Sequence, residues 1–546
     1  MTKYLILDCY VDEPACFGVP PFISPYPRYI YGALICAGVN PENITYKTID
    51  DIRPSYVIED SSDTVFLIGG AVVPGKYLGY KIGRIEEIIK IADTNKKKKF
   101  IVGGLAGRLA KEKCGSNILS LSGDIEFYAY TLAKGCPEDG LRSNKSISRW
   151  AFEGVRAVRS HFEFPHIIAE IETYRGCPRK NHCSFCSESI FKDIEFRPVD
   201  DILKEIDALI SQGVSRFRIG RQADILAYGS ELSDFRKGFP KPGSDPLFEL
   251  FTELKKRKDE GKIQTLNIDN ANPGTIANFP EESSLAIDYI VKALTPGDTM
   301  PMGIESFDPE VKTRNNLKVS SEEAFFAAKI INDIGGVRVN GIPVLLPGIN
   351  LIHGLSGEST ETFRINYEKL CRMKDSGILI KRINIRSLLP FPGTKAEREN
   401  ILSNKKINNR YEFYRDKIRN DIDHYMLSKI YPVGTTLEKI RVVETMFDYS
   451  LARPLQSYAI TVKLPTPLEK GTFIDAIVVA HRERSLIALP NPIQINFLPA
   501  KALEFLPGVG KRAAGDIVLK RPLRHHDSIR QIAPDINPSI IDKIIY

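Results

Sequence analysis

The chain has little histidine, tryptophan or cysteine for its length. Of 546 residues one is Trp, eight are His and nine are Cys, and no His precedes His161. No run of about 18 apolar residues occurs, so no segment reads as a membrane-spanning helix. The opening MTKYLILDCY leads straight into a strand pattern, without the charged, apolar and small-residue regions of a signal peptide. Nine cysteines spread over such a length exclude a disulfide framework, and three of them are clustered, which predicts a metal site in a reducing compartment. A cytoplasmic protein with no membrane attachment is expected. The net charge of +7 permits a polyanionic partner without requiring one. A hydrophobic content of 43% and a charged content of 26% are those of a soluble globular protein, and the length implies about three or four domains.

Cys177, Cys183 and Cys186 fall in the stretch Glu172–Ser189 with the spacing C-x5-C-x2-C, just after the apolar, strand-like Ile167, Ile168, Ala169 and Ile171. Thiolates this close can converge on one metal centre. Three without a fourth leave one iron of a [4Fe-4S] cube open to an outside ligand, whereas structural zinc and purely electron-carrying clusters normally take four protein ligands. The pattern resembles the cluster loop of the radical S-adenosylmethionine superfamily, C-x3-C-x2-C with an aromatic residue before the last cysteine. Phe185 fills the aromatic place, and the first gap is two residues longer. The resemblance implies the three cysteines as cluster ligands and S-adenosylmethionine chelated on the open iron. An electron from a low-potential donor then cleaves the sulfonium to a 5′-deoxyadenosyl radical. The alternative is a zinc knuckle completed by His182 or a distant cysteine.

Before the cluster, short apolar strands alternate with helical stretches: Tyr4–Asp8, a helix near Tyr29–Ala37, Ile44–Ile49, Val65–Gly69, a helix near Leu78–Ala92, and Lys99–Gly103. This predicts a doubly wound, Rossmann-like parallel sheet over residues 1–160. Glycine pairs end two of the strands, at Gly69-Gly70 and Gly103-Gly104, where such sheets bind ligands. The layout resembles the cobalamin-binding-type domain that precedes many radical domains. With no His before His161, cobalamin has no lower-axial histidine here and stands as the lesser alternative. The second cluster of methylthiotransferases is not expected, because the later strand ends carry no cysteine. Cys16, Cys36, Cys114 and Cys136 read as buried small apolar residues.

Residues 161–400 continue as about six strand–helix repeats, too few for a closed eight-stranded barrel and matching the open (βα)6 partial barrel of the radical family. Val199–Gln212 carries Ile202, Leu203, Ile206, Leu209 and Ile210 on one helical face, Ser320 with Glu323 offers a capping box, and residues 221–247 read as an insertion. Gly303-Ile-Glu305-Ser306 resembles the family's strand-four motif, which implies Glu305 and Ser306 near the ribose or amino group of S-adenosylmethionine. Gly341 and Pro343 resemble the adenine-contacting fifth-strand segment. Gly354-Leu-Ser-Gly-Glu-Ser resembles the G-x-P-G-E-T turn, with Ser356 in place of proline.

Residues 401–433 read as a bridging helix and 434–496 as a small antiparallel β-barrel, similar to the RNA-binding barrel of methylthiotransferases. Residues 497–546 contain Leu506-Pro-Gly508-Val-Gly510-Lys511-Arg512, which resembles a helix-hairpin-helix whose turn presents N–H groups to a phosphate. The arrangement as a whole resembles archaeal-type radical S-adenosylmethionine proteins with a C-terminal helix-hairpin-helix. It implies a radical enzyme modifying a nucleic acid, transfer RNA first. The rivals are an enzyme acting on a protein or small metabolite, cobalamin-assisted or not, and an iron–sulfur nucleic-acid-binding protein without catalysis.

Overall fold

The computed structural model describes residues 2–13, 16–69, 79–110, 115–191, 193–398 and 405–546; Gly70 and Cys114 fall outside these. β1 (Tyr4–Asp8), β2 (Ile44–Thr48), β3 (Thr64–Ile68), β4 (Lys99–Gly103) and β5 (Ile118–Ser120) form a parallel sheet in the order β2-β1-β3-β4-β5. Every residue of β1 and β3 is buried, which is why both read as unbroken apolar runs rather than as alternation. The helix expected to begin near Leu78 spans Ile85–Thr94. Helix Pro25–Cys36 crosses helix Asn144–Glu153 so closely that a Cβ on Gly32 would lie 1.9 Å from the Trp150 carbonyl oxygen. Of the cysteines read as buried, Cys16 is buried, Cys36 is half-buried and Cys136 is exposed, the last because it lies just past the helix Ile125–Ala133.

The six barrel strands are β6 (Ile168–Glu172), β7 (Arg216–Gly220), β8 (Thr265–Ile268), β9 (Asp298–Glu305), β10 (Leu345–His353) and β11 (Arg382–Ser387). They run parallel as β6-β7-β8 and β9-β10-β11, joined by a bridge between Ala271 and Met302. The free edge of β6 takes the two-residue strand Phe22–Ile23, so the N-terminal part is hydrogen-bonded into the barrel. A buried clamp adds to this: Glu205, on helix Val199–Ser211, accepts from Arg28 at 2.6 Å and Arg197 at 2.8 Å, all three out of solvent. The capping box at Ser320 and Glu323 starts helix Ser321–Gly335.

Helix Lys405–Ile418 passes through a π-turn at Arg419–Asp423 into His424–Ile430. β12 (Thr436–Thr445), β13 (Ser450–Arg453), β14 (Thr461–Leu464), β15 (Phe473–His481) and β16 (Ser485–Pro490) then close a barrel in the order β12-β13-β14-β16-β15. It is not wholly antiparallel, since β14 and β16 pair in parallel. β13 was not expected from the sequence. Residues 457–460 belong to a loop that docks on the radical barrel: the Ser457 N–H donates to Asn267 Oδ1 at 2.9 Å. The last region packs helices Lys511–Leu519 and His526–Ile532 on a core that it shares with the small barrel, in which Leu506, Ile517 and Ile529 join Ile477 and Val479 of β15 and Ile487 and Leu489 of β16, and its terminal strand Ile544–Ile545 pairs with Ile493–Gln494.

Candidate active site

Cys177, Cys183 and Cys186 line one cavity of about 220 Å³ together with Asn270, Glu305, Asn350 and Arg386, which come from the C-terminal halves or ends of four barrel strands. Several contacts fix the cysteine loop. Gly176 has φ +93°, and a Cβ there would lie 2.6 Å from Ile194 Cδ1. Its N–H donates to Glu188 Oε2 at 3.0 Å, and the other oxygen of Glu188 accepts from Arg221 at 3.0 Å. Asn316 donates to the His182 carbonyl at 2.7 Å, and the Ser184 hydroxyl donates to Asn315 at 2.7 Å. Arg179 donates to Cys183 Sγ at 3.0 Å while its guanidinium rests 5.1 Å over Phe239, so the 221–247 insertion supports the loop. His182 Nε2 lies 3.1 Å from the Cys177 carbonyl oxygen, which turns the ring to the loop's own backbone rather than toward the thiols. Burial pushes all three thiols up, Cys177 to about 12.

Glu305 reaches the cavity because β9 breaks register between Gly303 and Glu305. Its φ of +63° is a left-handed conformation in a residue with a side chain, which costs about 1–3 kcal/mol and aims the carboxylate inward. A Cβ on Gly303 would sit 2.7 Å from Glu305 Oε1. Burial pushes Glu305 up to about 8, with Arg386 opposing. Two more acids of the cavity wall, Glu13 and Asp269, each have one buried oxygen without a hydrogen bond among the described residues. Of the four carboxyls lining the cavity among the described residues, Glu188 is held by Gly176 and Arg221 and Asp269 by Arg218, which leaves Glu13 and Glu305 to accept from a ligand that carries hydroxyls or a positive charge beside the three thiols.

The other expected contacts fall elsewhere. Ser306 is buried outside the cavity lining, where its hydroxyl accepts from the N–H of Asp308, the N-cap of helix Pro309–Arg314, at 3.1 Å. Gly341 and Pro343 do not reach the cavity. They belong to a hairpin in which Arg338–Val339 pairs with Ile342–Pro343, ahead of β10 and hence at the opposite end of that strand; Gly341 supplies its φ of +80°. Glu358 accepts from the Gly354 N–H at 2.9 Å and closes its own turn. Phe17 and Tyr458, which also line the cavity, carried no motif. The clamp Asn315-Asn316 did carry a signal, since Asn after a short helix is turn chemistry.

At the C-terminal end, Gly508 has φ +87° and faces the chain itself: a Cβ would lie 1.9 Å from the Asp535 carbonyl oxygen. Gly510 caps helix Lys511–Leu519 with nothing within 4 Å of its Cβ position, and Lys511 and Arg512 are exposed. The turn thus divides its tasks: Gly508 packs, and Gly510 opens to solvent.

The family model of the Radical SAM superfamily matches residues 171–353, the segment from β6 to the end of β10. A protein of Archaeoglobus fulgidus, itself described as uncharacterized, is 38% identical over 529 residues, covering 95% of this chain and 96% of its own length. The chain belongs to the radical SAM superfamily. It is an enzyme of this class, and membership implies a [4Fe-4S] cluster and S-adenosylmethionine. The ribosomal protein uS12 methylthiotransferase RimO of Carboxydothermus hydrogenoformans is 25% identical over 319 residues, 56% of this chain and 64% of that one. The radical S-adenosylmethionine methyltransferase TsrM of Kitasatospora setae, solved with cobalamin and a [4Fe-4S] cluster, covers 73% of this chain and 74% of its own at 14% identity, with a TM-score of 0.46. Among the described residues no helix is long and apolar enough to cross a membrane.

Proposed function

We propose that this radical SAM protein is a cytoplasmic enzyme that modifies nucleic acid, transfer RNA first. In this reading Cys177, Cys183 and Cys186 hold the [4Fe-4S] cluster, and Glu305 accepts from the ribose hydroxyls or amino group of S-adenosylmethionine. The cluster, once bound and reduced by a low-potential donor, supplies the electron that cleaves S-adenosylmethionine to a 5′-deoxyadenosyl radical. The protein's own part is positional. Glu188, Asn315 and Asn316 hold the cysteine loop, the bulge in β9 aims Glu305, and Phe17 and Tyr458 wall the cavity with apolar surface that keeps water away.

The observation that carries the nucleic-acid reading is the open helix start at Gly510, which among the described residues has no side-chain cap and is followed by exposed Lys511 and Arg512. The five-stranded closed barrel beside it adds support by analogy, since OB-type barrels bind oligonucleotides. Arg512 and Lys511 serve as phosphate contacts in this reading, Gly510 as the close-approach point, and Gly508 as the packed support of the turn. The test is a salt titration of transfer RNA binding: Lys511→Ala weakens binding and lowers the slope of log K against log salt by about one. Wild-type protein with no salt-sensitive affinity for transfer RNA or duplex DNA overturns it. The second reading, a protein substrate, then takes its place; it is favoured by the partial likeness to RimO, named for ribosomal protein uS12.

Cobalamin is the further cofactor this reading leaves to experiment: Gly104, Arg108, Gly123, Arg175 and Phe191 lie between the C-terminal ends of the first sheet and the cysteine loop, where it would bind without a histidine from this domain. Corrinoid absorption in the purified protein would add it to the cluster and S-adenosylmethionine.

A further inference from the structure

Cys16 lines the same cavity as Cys177, Cys183 and Cys186 but comes from a short hairpin of the N-terminal part. Strand Asp12–Glu13 pairs antiparallel with Cys16–Phe17, and the register sets Cys16 directly opposite Glu13. Residues opposite each other in such a ladder carry their side chains on one face, so the thiol and the carboxyl enter the same cavity wall. Both are withdrawn from solvent, Cys16 at 1% exposure and Glu13 at 4%. Glu13 Oε2 accepts from the Tyr26 hydroxyl at 2.8 Å, whereas Oε1 is buried with no hydrogen bond among the described residues. An unbonded carboxyl oxygen opposes folding, and its cost is removed only by a proton or a donor. Glu13 also walls the small cavity that holds Tyr26 and Arg108, so its carboxyl is shared between two spaces. The three thiols of the loop suffice for an open cluster, and Cys16 is a fourth thiol outside that set.

We propose that Cys16 is a catalytic residue, the hydrogen-atom donor to carbon radicals formed in this chamber, and that Glu13 returns a proton to it. The S–H bond of Cys16 breaks homolytically, the hydrogen atom forms a C–H bond on the radical carbon, and the unpaired electron is left on sulfur. One electron from the low-potential donor that also reduces the cluster, with the proton of Glu13, restores the thiol. Glu13 regains its proton by way of the small cavity on its other side. The hydrogen placed on the product therefore comes from solvent rather than from 5′-deoxyadenosine, and the reaction class is a rearrangement or addition closed by hydrogen delivery, not an oxidation. The electrostatics agree with these roles. Burial, with Glu170 and Glu13 nearby, pushes the Cys16 thiol up so that it keeps its hydrogen, and burial pushes Glu13 up as well. The inference rests on the radical SAM reading of the cavity and deepens it by assigning the residue that ends the radical reaction.

The test needs no identified substrate, because S-adenosylmethionine cleaved without one leaves the 5′-deoxyadenosyl radical itself to take a hydrogen in the chamber. Full-length, cluster-reconstituted protein is exchanged into deuterium oxide free of small thiols, S-adenosylmethionine and titanium(III) citrate are added, and the 5′-deoxyadenosine is analysed by mass spectrometry. Among exchangeable groups only a thiol has a bond weak enough to yield its deuterium to a carbon radical. Wild type is expected to give monodeuterated product, and Cys16→Ser, which keeps the shape but offers a stronger O–H bond, to lower the deuterated fraction at least about tenfold. Glu13→Gln keeps the thiol and is expected to retain deuterium in the first turnover while slowing later ones about fivefold, since recovery of the thiol lacks its proton. Before reconstitution, infrared difference spectra of wild type minus Cys16→Ser at about pH 8 are expected to show an S–H stretch that moves on deuterium exchange. Undeuterated product from wild type, an unchanged deuterated fraction in Cys16→Ser, or no S–H band overturns the proposal. Where Cys16→Ser fails to hold iron, wild-type deuteration and the Glu13→Gln kinetics decide, and later turnovers as fast as the first in Glu13→Gln overturn it. No 5′-deoxyadenosine at all from wild type carrying a full cluster sinks the reading of the cavity instead, which keeps the two failures apart.

Discussion

Glu305 is where backbone strain and electrostatics act on one side chain. The bulge and positive φ set its direction, and burial raises its affinity for protons, so a ligand that donates to it replaces lost hydration. Glu305→Gln keeps the shape but cannot ionise when a cationic or hydroxyl-bearing ligand displaces the proton, and is expected to weaken S-adenosylmethionine binding about tenfold with cluster absorption unchanged. Equilibrium dialysis with the reconstituted protein checks it, and wild-type affinity in the variant would remove Glu305 from the site. His161 makes a different residue-scale prediction. It is buried, stacks on Phe162 at 4.8 Å, and accepts from the Glu163 N–H through Nδ1 at 3.1 Å, so burial pushes it from 6.5 down to about 4. Between those values the unfolded chain binds the proton and the folded chain does not, so this contribution to stability is present above 6.5 and is lost as pH falls toward 4. From pH 7.5 to 5 the loss amounts to about 2 kcal/mol. Urea melts of wild type and His161→Phe should diverge by that amount over the interval, and parallel pH dependence would contradict it.

Elements differ in how openly the sequence declares them. The cysteine loop was legible because its ligand spacing is local, and the six barrel strands because each repeat alternates an apolar strand with an amphipathic helix. Gly341 and Pro343 were misplaced because a turn glycine looks the same at either end of a strand, and only register shows that their hairpin precedes β10. β13 escaped notice because Ser450–Arg453 is four residues of mixed polarity whose partners are distant in sequence. The walls from Phe17 and Tyr458 were hidden for the same reason: both come from other parts of the chain. Two buried acids test what holds these elements. Glu188→Ala removes the nearest acid from Arg221, which keeps Glu172 at 4.0 Å, and frees the Gly176 N–H, whereas Glu205→Ala removes the ion-pair partner of both Arg28 and Arg197. Each is expected to cost about 3–5 kcal/mol. Only Glu188→Ala should also lower iron retention, since only it touches the loop; equal iron loss in both variants, measured beside their melting temperatures, would contradict this.

At the scale of the whole molecule, parts distant in sequence wall one chamber. The N-terminal part contributes the hairpin that carries Glu13, Cys16 and Phe17, the partial barrel contributes the thiols and Glu305, and the small barrel contributes Tyr458. One edge of the six-strand barrel is extended by the short strand Phe22–Ile23 of the N-terminal part, and the small barrel docks on β8 through Ser457. The claim on which everything else depends is that Cys177, Cys183 and Cys186 assemble a cluster that cleaves S-adenosylmethionine in this chamber. The direct measurement is the yield of 5′-deoxyadenosine after anaerobic reconstitution and addition of dithionite, together with iron content, for wild type, Cys183→Ala and Cys371→Ala. The account predicts product and a full cluster in wild type and Cys371→Ala and neither in Cys183→Ala. Unchanged iron and product in Cys183→Ala, or no product from wild type carrying a complete cluster, would contradict it.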